Sequence, residues 1–235
     1  MALIVGLMHP GSGLGNQLHR FVGTKCLAVE HGKEHGMVGV EHFKGVGWMT
    51  LETESINVPY DIEYPAGKLI VADVMNMTIL DGEYQSEQAF LPHLEEIREW
   101  IQVAPMELPD DLCIISHRGG EYTLYPDLYL PQSYWDNAIG MMREKYPNIR
   151  FEVQTDDIEA AKKQFPDFDC IHNMEHNWRS IRYAKHLILS NSSFAIIPAH
   201  LSPATEIIAP RCWAGHNKRV WQSQDNNYKR FTYII

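Results

Sequence analysis

The sequence predicts an α/β protein built on parallel sheets, and three observations predict it. Short apolar, strand-like runs alternate with stretches whose apolar residues fall at helical spacing. The residues directly after the strand-like runs are polar, and in two places they carry glycine clusters. The alternation then restarts after a turn-prone segment with two prolines, Ala104-Pro-Met-Glu-Leu-Pro-Asp-Asp. Strands separated by helices imply a parallel sheet covered on both faces. Ligands of such sheets sit beyond the carboxyl ends of the strands, so the post-strand segments are where chemistry belongs.

The elements follow in order. Ala2–Leu7 is strand-like, and from Asn16 the residues Leu18, Phe21, Val22, Cys26 and Val29 repeat at helical spacing, which makes a β-turn-α unit. Gly36–Val40 reads as a second strand, 41–65 as irregular, and Leu69–Ala72 and Met77–Leu80 as two more short strands. Ser86–Gln102 reads as one helix, or two broken near Pro92, on the evidence of Phe90, Leu94, Ile97 and Ile101. The proline-rich segment then places a boundary between domains 1–104 and 105–235. Beyond it, Leu112–Ser116 is a strand and Pro131 opens a helix with Trp135, Ala138, Ile139 and Met142 on one face. Ile149–Val153 is a strand, and the helix after it is capped by Asp156 or Asp157. Asn177–Lys185 is helical, His186–Ser190 is a strand, and Glu206–Ala209 is the expected last strand.

A chain of 235 residues is long enough for two small domains with cores of their own. The net charge of −10 argues against a general nucleic-acid binder, whose affinity rests on neutralising phosphates. Any anionic ligand must be met by local cations. Cys26, Cys113, Cys170 and Cys212 stand far apart with no C-x-x-C pair, which reads as free thiols in a reducing compartment. The start of the chain has no basic leader, and no run is long enough to span a bilayer, so a cytoplasmic protein without an integral membrane segment is expected. None of the 12 histidines stands in a zinc-type arrangement; His31, His35 and His42 read as solvated surface, and no metal site is expected. Asn76 and Asn191 fit the glycosylation acceptor pattern, which has no consequence in the cytoplasm.

Four post-strand segments each carry two readings. Gly11-Ser-Gly-Leu-Gly-Asn-Gln is either a phosphate cradle at a helix N-terminus or a tight turn; it is neither a P-loop nor a good dinucleotide fingerprint. In Ser116-His-Arg-Gly-Gly-Glu-Tyr, Arg118 either grips a diphosphate bidentately or is a surface arginine paired with Glu121. Asp156 and Asp157 invite a metal, but helix capping accounts for them more simply. The hydroxyls of Ser190, Ser192 and Ser193 either bind phosphate oxygens or cap the helical turn that follows.

Taken together and in order, these segments resemble the α-1,2-fucosyltransferase family and its relatives among the inverting GDP-fucose-dependent enzymes. The family's G-G-L-G-N-Q is similar to Gly11–Gln17, with Ser12 replacing a glycine, and its G-Y-W-Q-S-E to Gly82-Glu-Tyr-Gln-Ser-Glu. Its H-x-R-R-G-D-Y aligns with Ser116–Tyr122, its S-D-D is echoed in Thr155-Asp-Asp, and its S-N-S-S-F stands intact at Ser190–Phe194. Ile207-Ile-Ala-Pro-Arg-Cys-Trp stands where the family has a similar I-A-P-x-x-W. The likeness covers nearly the whole chain.

The resemblance implies a GT-B architecture, two Rossmann-like domains facing a cleft, with the N-terminal one reduced and on the acceptor side and the C-terminal one holding the sugar nucleotide. It implies Arg118 as the catalytic residue that neutralises the β-phosphate. The donor would be held by Gly13, Gly15, Asn16, Ser116, His117, Gly120, Asp156, Asn177, Asn191, Ser192, Ser193 and Phe194. His19, Tyr84 and Gln85 would lie on the acceptor side, and Glu83, Glu87 and His19 are the candidates for general base. GDP-fucose would be a substrate, a glycan hydroxyl the acceptor, and no cofactor is expected. The chain departs from the family at Gly119 (the second arginine), Ser116 (the histidine), Glu121 (the aspartate) and Asn177, where relatives carry an acidic residue that reads guanine. Those departures favour a second function class, a non-catalytic nucleotide- or sugar-binding protein on a decayed transferase fold. A third, a Rossmann oxidoreductase, rests on the glycine cluster alone.

Overall fold

The computed structural model describes residues 2–56, 70–74, 77–211 and 228–234, with 70–74 described by backbone alone. Leu69, Asn76, Cys212 and Trp213, on which parts of the sequence expectations fall, lie outside the described residues. The chain divides into two compact units, Met1–Val103 and Ala104–Ile235.

Unit 1 is built around the strand β1 (Leu3–Leu7), whose Val5 and Leu7 are buried with Ile79. The helix α1 (Leu14–Glu30) follows, with Leu14, Leu18, Phe21, Val22 and Cys26 on its inner side. The helix is buried almost all round, so Gln17, His19, Arg20, Thr24 and Lys25 are enclosed as well. Buried polar groups need partners. Gln17 finds its own across the turn that follows the next strand, donating to the His42 carbonyl at 2.8 Å and accepting from the Lys44 amide at 3.0 Å. Next come β2 (Glu34–Val38), β3 (Met49–Leu51), β4 (Glu54–Ser55), β5 (Ile70–Val74) and β6 (Met77–Leu80). The sheet order is β4-β2-β1-β6-β5, parallel except for the antiparallel edge pair β5–β6.

The helix expected over Ser86–Gln102 is shorter. Two single turns of 3-10 helix lead into α2 (Leu94–Trp100), and Ile101–Val103 is the strand β7, antiparallel to β3. The apolar spacing of Ile97 and Ile101 suits either conformation. Pairing of Leu51 with Ile101 and Met49 with Val103 decides for the strand.

Unit 2 contains β8 (Leu112–Ser116), α3 (Gln132–Lys145), β9 (Arg150–Gln154), α4 (Ile158–Gln164), β10 (Asp169–Ile171), α5 (Met174–Tyr183), β11 (His186–Leu189), α6 (Ser193–Leu201), β12 (Glu206–Pro210) and β13 (Thr232–Ile234). Its six-stranded sheet runs β10-β9-β8-β11-β12-β13, all parallel. Numbered from β8, that is the order 3-2-1-4-5-6 of a doubly wound fold, which reverses between β8 and β11. Trp135, Tyr134 and Phe165 pack edge to face in the core beside Cys113, Ile115, Val153 and Ile188. Glu206–Pro210 is not the last strand, because β13 adds to its edge and Arg211 N–H reaches the Ile234 carbonyl at 2.8 Å. The helix α6 holds Pro198 in its interior, a sequence signal for a break. Its run Ala195–Leu201 is wholly buried, and the burial outweighs the lost hydrogen bond.

No helix among the described residues is long and apolar enough to cross a membrane. Cys26, Cys113 and Cys170 are free thiols, and burial pushes the Cys26 thiol up to about 12.

Candidate functional site

In unit 2 the segments after β8 and β11 meet where the strand order reverses. Ser116 and Leu189 are neighbours in the ladder, and the Ser190 amide donates to the Ser116 carbonyl at 2.8 Å. Arg118 stands two residues beyond β8 with its side chain 30% exposed. One amino group pairs with Asp156 and the other with Glu121 at 3.0 Å, and the guanidinium lies over the Tyr122 ring at 5.1 Å. The Tyr122 hydroxyl donates to the Asn191 carbonyl at 3.4 Å, which ties this platform to the serine turn. Asp156 also accepts from the Gly119 amide at 2.7 Å, so its carboxylate is a fixed anchor for Arg118. Glu121 is an exposed partner on the next turn and holds the cation weakly.

The glycines of this loop have steric roles. Gly120 has φ +46, and a Cβ there would sit 2.6 Å from the Asp156 carboxylate. A Cβ on Gly119 would meet the Asp157 Cβ at 2.7 Å and the Ala160 Cβ at 3.1 Å. No room exists for the family's second arginine, and α4 packing against the loop is the reason. Asp157, not Asp156, caps that helix, accepting from the Ala160 amide at 3.0 Å. Those hydrogen bonds hold the Asp157 carboxyl below its ordinary value.

At the start of α6, Ser192 is the N-cap residue but its hydroxyl makes no capping hydrogen bond. Ser192, Ser193 and Phe194 are half-buried. Nearby, Gln154 Oε1, Asn177 Oδ1 and Ser190 Oγ are buried at the ends of β9, α5 and β11 with no hydrogen-bond partner among the described residues. Orphaned acceptors of this kind are rare in cores and suit a ligand that brings N–H or O–H donors.

Several residues expected to touch the donor also carry structural contacts. His117 is enclosed by Tyr129, Trp135 and Phe165, with Nδ1 on the Thr155 hydroxyl at 2.8 Å and Nε2 on the Gln164 side-chain oxygen at 3.0 Å. Burial drives its pKa down to about 4, so it is a neutral core residue. Ser116 is buried at the strand end. Asn191 is buried and donates to the Leu128 carbonyl at 2.9 Å, bracing the serine turn. Asp156 is engaged by Arg118 and the Gly119 amide. Asn177 spends its amide on the Thr155 and Ile171 carbonyls at 3.1 and 3.4 Å.

The family's acidic residue is therefore incompatible with this backbone, since a carboxylate cannot donate. Asn177→Asp is expected to destabilise unit 2 by about 2–3 kcal/mol through two buried carbonyls left facing a charge. A fall in the calorimetric melting temperature checks it, and an unchanged melt would refute the donor role of the amide.

Unit 1 has its own strand-end cluster, where the order reverses between β1 and β6. Asn16 donates to Glu83 at 3.0 Å, and Gln85 donates to both Asn16 at 3.2 Å and Glu83 at 3.1 Å. Arg20 pairs with Asp81 and lies 3.9 Å from Glu83. His9 Nε2 lies 3.1 Å from the same Asp81 oxygen. Tyr84 has φ +46, and its ring packs where Gly23 leaves no side chain, which anchors the loop carrying Glu83 and Gln85. Burial pushes its hydroxyl up to about 12.

Two further residues of the expected site are buried. His19 is fully enclosed, with Nδ1 on the Gly15 carbonyl at 2.9 Å, and burial lowers its pKa to about 4. Gly15 is buried inside α1 and its carbonyl is taken. Gly11, Gly13 and Gly15 have no positive φ, so conformation does not require them. Gly11 and Gly13 are exposed, and a Cβ there would meet nothing within 4 Å. His35, expected at the surface, sits half-buried between the Thr24 and Thr53 hydroxyls at 3.0 and 3.3 Å. Among the described residues no group of three His, Cys, Asp or Glu side chains is arranged to hold a metal ion.

Solved structures similar over nearly the whole chain include two glycosyltransferases. The heptosyltransferase WaaC of E. coli, solved with ADP, has a TM-score of 0.52 at 14% identity and matches 99% of this chain and 92% of its own. The α-1,6-fucosyltransferase NodZ, soaked with GDP-fucose, has a TM-score of 0.54 at 11% identity and matches 96% and 99%. The chain has a glycosyltransferase fold, and it is GT-B-like. No protein-family model and no curated protein matches the sequence.

Within this glycosyltransferase fold, sequence reading missed His9, Arg20 and Asp81. Asp81 directly follows the short run Met77–Leu80 and Arg20 lies one helical turn after Asn16. Both positions were findable, but their pairing across 61 residues was not.

Proposed function

We propose that the protein is a metal-independent, inverting glycosyltransferase that moves fucose, or a related sugar, from GDP-fucose to a glycan hydroxyl. The observation that carries the reading is Arg118, anchored by Asp156 beside the serine turn where the sheet order reverses. Charge grows on the departing diphosphate as the glycosidic bond breaks. A fixed guanidinium there stabilises the transition state more than the ground state and supplies the positive charge itself. The N-terminus of α6, uncapped by Ser192, adds amide donors for the same phosphates. The orphaned acceptors Gln154, Asn177 and Ser190 would take donors from the nucleoside. Unit 1 would serve the acceptor through Asn16, Gln85 and their neighbours. The choice of fucose, GDP and the α-1,2 linkage rests on the sequence motifs.

A second reading, nucleotide or sugar binding without turnover, is favoured by Gly119, where no second arginine fits. Thermal shift with GDP, UDP, CDP, ADP and NAD in EDTA, followed by GDP release from GDP-fucose with oligosaccharide acceptors, separates them. Stabilisation by GDP with acceptor-dependent release supports transfer. Stabilisation without release supports the binding protein, and a response to NAD alone overturns both.

A further inference from the structure

Where the strand order of unit 1 reverses, at the carboxyl ends of β1 and β6, a carboxylate is held in a fixed position with half of its surface open. Crevices at such reversals are where open α/β sheets take their ligands. Glu83 lies three residues beyond β6, and its side chain is 50% exposed. Asn16, in the first turn of α1, donates to one of its oxygens at 3.0 Å, and Gln85 donates to the other at 3.1 Å. Gln85 also donates to the Asn16 side-chain oxygen at 3.2 Å, which closes the three side chains into a ring. A carboxylate has about four acceptor positions, so roughly two remain for a ligand.

The loop that presents Glu83 is strained and braced. Tyr84 is the one non-glycine residue with positive φ among the described residues, at +46. Such strain persists only where the surroundings enforce it, and it gathers at ligand sites. Here Gly23 makes the room: a Cβ on that glycine would stand 2.3 Å from the Tyr84 Cβ. Beneath the loop Arg20 pairs with the buried Asp81 and stands 3.9 Å from Glu83. Burial pushes the Asp81 carboxyl up, but Arg20 and His9 outweigh it and hold the group below its ordinary value. Arg20 Nε and the Tyr84 hydroxyl are buried with no hydrogen-bond partner among the described residues, so the floor of the crevice is more polar than its own bonds use. The Arg20 charge is thus matched by Asp81, and no cation among the described residues stands nearer to Glu83 than that 3.9 Å.

We propose that Glu83 is the recognition site for a neutral saccharide, taken through two adjacent hydroxyls, and that it turns away saccharides carrying an acid group. The proposal lies wholly within unit 1, and it rests on the transfer reading only for naming the bound sugar as the acceptor. Two O–H donors on neighbouring ring carbons match the two oxygens of one carboxylate, whose plane Asn16 and Gln85 keep from turning. An acid group on the sugar would face Glu83 with the nearest cation already taken. At about 4 Å that repulsion is worth roughly fivefold in affinity even in water, and more where water is partly excluded.

The test titrates the full chain, 15N-labelled and without nucleotide, with methyl galactoside, methyl mannoside, their uronic acid counterparts and glucosamine. The side-chain amide signals of Asn16 and Gln85, assigned by single substitution, should shift and saturate with a neutral glycoside. The matching uronate should bind at least about fivefold more weakly. Glu83→Gln is expected to weaken the neutral glycoside by about tenfold and to abolish the discrimination against the uronate. Its melting temperature and its response to GDP should stay at wild-type values, which a merely structural role would not leave untouched. Equal affinity of the wild type for a neutral sugar and its uronate overturns the proposal, as does neutral-sugar binding that Glu83→Gln leaves within about twofold. Binding of glucosamine alone, or no shift with any sugar at tens of millimolar, overturns it too. A protein that binds the neutral sugar as expected but does not respond to GDP overturns the transfer reading and leaves this site standing.

Discussion

Arg118→Ala is expected to abolish thermal stabilisation by GDP at concentrations that saturate the wild type. On the proposed reading the guanidinium makes two charge-assisted hydrogen bonds to a diphosphate. Losing them costs about 3 kcal/mol, or roughly a 100-fold rise in Kd. Turnover should fall further, because charge on the leaving group grows toward the transition state. Before a ligand arrives the same guanidinium is held by Asp156 and Glu121. Asp156 is also bound to the Gly119 amide and stays in place. The Glu121 side chain is 66% exposed and its ion pair spans one turn, so a phosphate can displace it at a cost of about 0.5 kcal/mol. Glu121→Gln removes the competitor and is expected to tighten GDP by about twofold. The two variants should therefore move in opposite directions in one titration by calorimetry. An Arg118→Ala protein with the wild-type GDP response would make this arginine a surface residue that merely balances Glu121.

Acidification is expected to unfold the protein well before its carboxylates titrate. Burial lowers the pKa of His19 and His117 to about 4 and of His35 to about 3, against an ordinary value of 6.5. Between those values the unfolded chain binds protons that the folded chain refuses, so stability rises with pH across that window. Full stability is present above 6.5 and is lost as the pH falls toward 4. For His117 alone the difference amounts to about 3 kcal/mol, and His19 adds a similar quantity in unit 1. Such a sum is comparable with the whole stability of a domain. Melting temperature measured from pH 7.5 to 4.5 should fall steeply below 6.5. His117→Gln should flatten the dependence for the transition of unit 2, whatever it does to the absolute melting temperature. A melting temperature constant between pH 7 and 5 would mean that these rings are protonated in the fold.

Much of the fold was legible because strands and helices announce themselves to their chain neighbours. The apolar run Leu112–Ser116, the face of Trp135, Ala138 and Met142, and the cap Asp157 all depend on residues a few positions away. The same locality explains the failures. Ile101–Val103 has a pattern that fits helix or strand, and only Met49–Leu51, some fifty residues back, decides between them. Nothing near Thr232–Ile234 reports that an open edge of the sheet awaits it.

The candidate site divides along the same line. The sequence by itself determined that polar and glycine-rich segments follow the strands, that Arg118 is the cation among them, and that serines follow Leu189. Only the tertiary structure decided which of these face outward. His117 precedes the half-exposed Arg118 and His19 sits in a helix that carries several polar residues, yet each ring is sealed by side chains from distant elements. Strand order decided the rest, because it sets which loops become neighbours. His9 and Asp81 are 72 residues apart, and they touch because β6 lies alongside β1. Sequence periodicity carries no term for that choice; it is made by the packing of whole elements into one sheet.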